Sequence, residues 1–182
     1  MPVHTSSIRP SSNSISYTYG GVSQVGYSNL TSDFSTNSSS AWVDISNLSV
    51  TITPQSTSSR FYIEFSLGRA TTNQHNLDHG AGLRVLRGSV HSDLNASADG
   101  NRERVCGMIM GLAYNDDHSP GPWSFSGIDH PNTTSAVTYK VQVLAQSSSH
   151  AVHINRPINN SNTGNIYHGA ARSTIVVMEL GS

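Results

Sequence analysis

One cysteine is all that the 182 residues contain. With Cys106 alone, no disulfide can close within the chain, and no cysteine-based zinc site can be assembled from it. Its setting, VCGMIMGL, reads as a core strand, where a thiol behaves as a small inert hydrophobe. Lysine is as scarce, with Lys140 the sole example, and the formal net charge is only −1. No basic patch is therefore available to grip a phosphate backbone, and nucleic-acid binding is not expected. Charged residues make up 12% of the chain and hydrophobic residues 35%, against usual globular shares of roughly 25% and 45–50%. No apolar run approaches the ~20 residues of a membrane span. The opening MPVHTSSIRPSSNS lacks the apolar stretch of a signal peptide. These absences predict a chain without membrane insertion, synthesised in a reducing compartment. Neither an amphipathic helical pattern nor a fixed-period repeat is present.

Ser, Thr, Asn and Gly occupy the space left by charge and hydrophobicity. Disorder usually couples low hydrophobicity to high net charge, which this chain does not have. A polar, weakly charged, turn-rich sequence with short apolar stretches instead predicts an all-β protein. Residues 1–40 lack sustained apolar periodicity and read as an extended arm, and residues 41–182 read as the folded domain. Within that domain RFYIEFSL alternates, placing Phe61, Ile63, Phe65 and Leu67 on one face. VTYKVQVLA does the same with Val137, Tyr139, Val141 and Val143. The remaining strands are expected in WVDISNLSVTI, GLRVLRG, ERVCGMIMGLAY, WSFSGID, SSSHAVHINR and RSTIVVMEL. About eight strands with long polar loops suit a two-sheet jelly-roll sandwich. The strands over Val105–Leu112 and Ser173–Leu180 are apolar on both faces, which predicts that one face meets another subunit.

Chemistry is hard to find. G-x-S-x-G, H-E-x-x-H, the P-loop and G-x-G-x-x-G are all absent, so no catalytic residue is assigned. Glu64 and Glu179 read as solvent-facing or interface residues rather than as an acid–base pair. The chain has nine histidines, and His75, Asp78 and His79 share one loop while Asp116, Asp117 and His118 share another. Imidazole and carboxylate side chains can hold a first-row metal, yet in so polar a loop they read as ordinary surface residues. No metal or cofactor is expected. His150 and His153 fall on opposite sides of a strand and would not chelate together. The six N-x-S/T sequons, at Asn29, Asn37, Asn47, Asn95, Asn132 and Asn159, follow from the abundance of Asn, Ser and Thr. Trp123 reads as a packing residue. Tyr114, Asp116 and His118, in the long loop 113–121, are the first candidates for contact with a receptor.

Several segments, in order, are familiar as a set. WVDISNLSVTITPQSTSSRFYIEFSL, GLRVLRGS, TTSAVTYKVQVLAQSSSHAVHINR and the closing STIVVMEL resemble the carboxyl-terminal domain of cyanophage and marine-phage tail-fibre-like structural proteins, over about Trp42–Leu180. The resemblance implies a jelly roll like that of tumour-necrosis-factor trimers, with no catalytic residues. It implies a homotrimeric structural protein on the virion surface, made in the host cytoplasm. The arm would join it to capsid or tail proteins, and host glycan or protein would be its outer partner. A capsid decoration protein (head fibre or cement) is the alternative, and a lectin-like carbohydrate-binding module a further one.

Overall fold

A computed structural model describes residues 21–72, 80–110, 121–158, 163–164 and 168–181. All of its regular structure is β. Eleven strands follow in order: β1 (Val22–Leu30), β2 (Phe34–Thr36), β3 (Val43–Ile52), β4 (Arg60–Thr72), β5 (Gly80–Arg87), β6 (Val90–His91), β7 (Gly107–Met110), β8 (Gly121–Asp129), β9 (Val137–Ala145), β10 (Val152–Ile154) and β11 (Ser173–Leu180). They form two antiparallel sheets packed as a sandwich, one of six strands and one of five.

The count exceeds the expected eight because some rows of the sheets are built from two pieces. In the first sheet β10 pairs with residues 70–72 of β4, and β11 with residues 60–66. The two strands lie end to end on one side of β4, with β8 on the other side. β1 and β2 flank that broken row as β11 and β10 partners. The second sheet runs β3, β9, β5, with β6 and β7 sharing the far side of β5. Each sheet therefore has four rows.

Two of the broken rows are interrupted by a long excursion, between β10 and β11 (155–172) in the first sheet and between β6 and β7 (92–106) in the second. Short polar side chains close the necks. Asn155, 3% exposed and in the left-handed region at φ 64, donates to the carbonyls of Leu30 (2.8 Å) and Ser32 (3.0 Å). Its Oδ1 accepts from the Ser173 hydroxyl at 2.7 Å. Asn tolerates this backbone conformation because its side chain bonds locally. Opposite the neck sits Gly68, where a Cβ would lie 2.2 Å from the Arg172 carbonyl oxygen. In the second sheet Asn95, 6% exposed, accepts from the Val85 amide at 2.9 Å.

The expected alternation in β4 holds, with Phe61, Ile63, Phe65 and Leu67 all at or below 1% exposure. Tyr139, Val141 and Val143 of β9 face them across the core, and the Phe61 and Tyr139 rings approach to 5.9 Å. Burying each such side chain contributes about 1.5–3 kcal/mol, which makes this layer the main source of stability.

Within the arm expected over residues 1–40, residues 22–36 join the sandwich. Residues 22–30 pair along the whole of β11, and residues 34–36 pair with β10. The inward positions of β1 are Gln24, Gly26, Ser28 and Leu30, so only Leu30 gives an apolar signal. The others are small or polar because β1 lies tight against β3. A Cβ on Gly26 would sit 2.5 Å from Val50 Cγ1, and the Ser28 hydroxyl donates to the Asn47 carbonyl at 2.7 Å.

Candidate functional site

The outer faces of the two sheets differ in chemistry. On the second sheet cross-strand neighbours are polar: Thr51 and Thr138 hydroxyls meet at 2.7 Å, and Lys140 Nζ lies 2.9 Å from Asp44 Oδ2. Burial opposes ionisation of Asp44, but hydrogen bonds from Lys140 and Gln142 outweigh it and hold the carboxyl below its ordinary range.

On the first sheet the register aligns apolar side chains across four rows. Val25 of β1 stands opposite Met178 of β11, Met178 opposite Tyr62 of β4, and Tyr62 opposite Ile128 of β8. The next ladder runs Tyr27, Val176, Glu64, Ser126, and the one after it is wholly polar: Asn29, Thr174, Ser66, Ser124. Val25 is 55% exposed, Tyr27 70% and Ile128 37%, while Val176, Met178 and Tyr62 are half-buried. Apolar groups at that exposure, contiguous over four rows, form a surface suited to covering by another protein. The apolar character of both faces of β11 was visible in the sequence. Val25, Tyr27 and Ile128 were missed, because only strand register joins them to it.

Two carboxylates are buried at the ends of the sandwich. Glu179 was expected to face solvent or an interface, yet it is 2% exposed. It accepts from the Gln55 amide at 2.9 Å, the Ser59 hydroxyl and the Gln24 amide, joining β1, the 53–59 turn and β11. Burial alone would raise its pKa; these hydrogen bonds more than offset that and hold it below 4.5. Asp129, fully buried, accepts from Arg87 (2.7 Å), the Tyr139 hydroxyl (2.7 Å) and the Asp93 amide (2.7 Å). Burial first, then the bond to Asp129, pushes the Tyr139 phenol far up. Both acids accept from three structural donors each, so they hold the fold together.

His153 of β10 is 7% exposed, and its Nδ1 has no partner among the described residues. Burial first, then the nearby Arg156 charge, lowers its pKa from 6.5 to about 4. A histidine with a depressed folded pKa binds fewer protons than in the unfolded chain, so it costs stability as pH falls from 6.5 towards 4. Glu179 acts lower, because its stabilisation is present above 4.5 and lost as pH drops through its folded pKa. The melting temperature is therefore expected to decline in two stages on acidification. In a His153→Phe variant the loss between pH 6.5 and pH 4.5 shrinks while the steeper loss below pH 4.5 stays. Calorimetry across that range reads both.

The expected contact residues Tyr114, Asp116 and His118 lie outside the described residues, as do Asp117 and the cluster His75, Asp78 and His79. Among the described residues no group of three or more His, Cys, Asp or Glu side chains is placed to hold a metal ion. Trp123 and Phe125 pack against the core from β8. Cys106 is half-buried and its thiol is pushed up to about 12 by burial, which removes its reactivity at neutral pH. In comparison with known proteins, the chain matches no family model and no curated protein.

Proposed function

We propose that this chain is a structural protein of a phage virion surface, a jelly-roll trimer whose subunits meet through the outer face of β1, β11, β4 and β8. The apolar ladder Val25, Met178, Tyr62, Ile128 carries this reading. A packed interface of three copies would bury what a lone subunit leaves wet.

The order of the rows supports the jelly roll. Numbered by their order along the chain, the rows run 1-8-3-6 in one sheet and 2-7-4-5 in the other. That is the arrangement produced when a long hairpin of paired strands wraps into two Greek keys. With β1 as the first row, residues ahead of Val22 are assigned to attachment on capsid or tail. Host contact, through glycan or protein, is assigned to surfaces that the trimer leaves exposed. A decoration role on the head fits the same geometry.

Sedimentation at micromolar concentration tests the assembly, and a trimer is the expected result. Charge placed on the ladder by Val25→Lys with Met178→Lys should leave the monomer folded but abolish association. A wild-type chain that sediments as a folded monomer overturns the reading. Labelling the chain on intact particles then places it on head or tail.

A further inference from the structure

The second sheet's outer face, polar along most of its length, changes character at one end. A cavity of about 350 Å³ opens there between Trp42, which precedes β3, and Met108 of β7. Its floor is the main chain of β5 at Gly80 and Gly82, with Leu144 of β9 beside it. Gly82 permits this shape. A Cβ there would sit 3.0 Å from the Trp42 ring and 3.1 Å from Val105 Cγ1, so any larger residue displaces the indole.

The indole is fixed from two sides. Its Nε1 donates to Glu103 Oε2 at 3.1 Å, and the Arg84 guanidinium lies 4.1 Å from the ring centroid. Such a stacked cation and hydrogen bond hold the ring without filling the cavity. Glu103 brings a carboxylate to the rim, and Gln146 a side-chain amide whose Oε1 accepts from the Gly80 amide at 3.0 Å. Arg102 sits on the same rim, paired with Asp99 at 2.6 Å.

We infer that this cavity binds a neutral hexopyranose unit of a glycan, through the Trp42–Met108 slot and the Glu103 and Gln146 rim. A pyranose offers one apolar C–H face and a ring of hydroxyls at its edge. An apolar slot with an aromatic wall takes the face, and a carboxylate and an amide on the same rim suit the hydroxyls at the edge. The charge balance of the rim selects among occupants. Arg84 stands against Glu103 and Arg102 against Asp99, so a strongly charged ligand of either sign meets a like charge, while a polyol meets none. The slot is on the sheet opposite the proposed trimer face, so the assembly proposed above would not cover it. The inference rests on the surface-protein reading above for its biological sense and on the slot alone for its chemistry.

The test uses the full chain labelled with ¹⁵N, whose two tryptophans give two indole N–H signals. Methyl glycosides of glucose, galactose and mannose, and N-acetylglucosamine, are titrated separately. At least one should move the Trp42 signal saturably while Trp123 stays still. Glu103→Gln, at an exposed position, should weaken that sugar about tenfold, the effect of losing one charge-assisted hydrogen bond. Trp42→Ala should abolish the binding. If none of the four sugars gives a saturable shift, or Glu103→Gln binds as well as wild type, the inference fails. It also fails if the Trp42 signal follows protein concentration instead of sugar, because a second copy then covers the slot. Sedimentation of the same samples reports the trimer separately, so the failure of one idea is told apart from the failure of the other.

Discussion

A chain begun at residue 41 is expected not to fold. Removing residues 1–40 takes away the β1 and β2 row, and with it Leu30, a fully buried core side chain. A lost leucine of that kind costs about 2–5 kcal/mol by itself. The eight residues of β11 become an edge strand with unpaired amides and carbonyls, a template for aggregation. Glu179 loses the Gln24 amide, and Asn155 loses the Leu30 and Ser32 carbonyls that close the neck of the 155–172 excursion. Together these losses approach the whole stability of an ordinary domain, roughly 5–15 kcal/mol. Circular dichroism and thermal melting of the truncated chain decide the matter. A cooperative transition close to that of the full chain would mean that β1 only decorates the sandwich.

Asp129→Ala is expected to cost about 3–5 kcal/mol, the usual penalty for leaving a buried charge partner uncompensated. The side chain is fully buried, and the Arg87 guanidinium beside it is only 19% exposed. Burial would lower the Arg87 pKa; the hydrogen bond and charge of Asp129, then the charges of Tyr139 and Asp93, reverse that. Arg87 also donates to the His130 carbonyl at 2.9 Å. Removal also orphans the Tyr139 hydroxyl in the core and frees the Asp93 amide at the start of the 92–106 excursion. The melting midpoint should fall by roughly 10 °C at fixed protein concentration. Asp129→Asn keeps the shape and one acceptor and should lose less. Equal melting of wild type and Asp129→Ala would show that water replaces the carboxylate at no cost.

Strands whose inward side chains are apolar were legible in the sequence. β4 and β9 alternate cleanly, because one face of each lies in the core and the other meets water or a half-open surface. β1 was legible only in part. GGVSQVGYSNL carries enough Val, Tyr and Leu to dock as a strand. The close approach of β3, however, demands Gly26 and Ser28 on the inside, and the apolar residues of β1 other than Leu30 point outward. Asp129 closes the expected strand WSFSGID and Glu179 the expected strand RSTIVVMEL, where acids ordinarily mark a solvated end. What buries them is the donor set brought by Arg87, Tyr139, Gln24 and Ser59, residues 10 to 155 positions away in the chain. The Trp42 slot was equally hidden, because its wall, floor and rim come from four separate segments.

The sequence by itself determined the all-β class, the absence of an intrachain disulfide and the inward faces of its clearest strands. These are local matters of composition and a period of two. Tertiary structure decided which strands share a row, that residues 22–36 belong to the sandwich, and which outer face is apolar. Those depend on register, and register is a relation between segments far apart in the chain that no local pattern encodes.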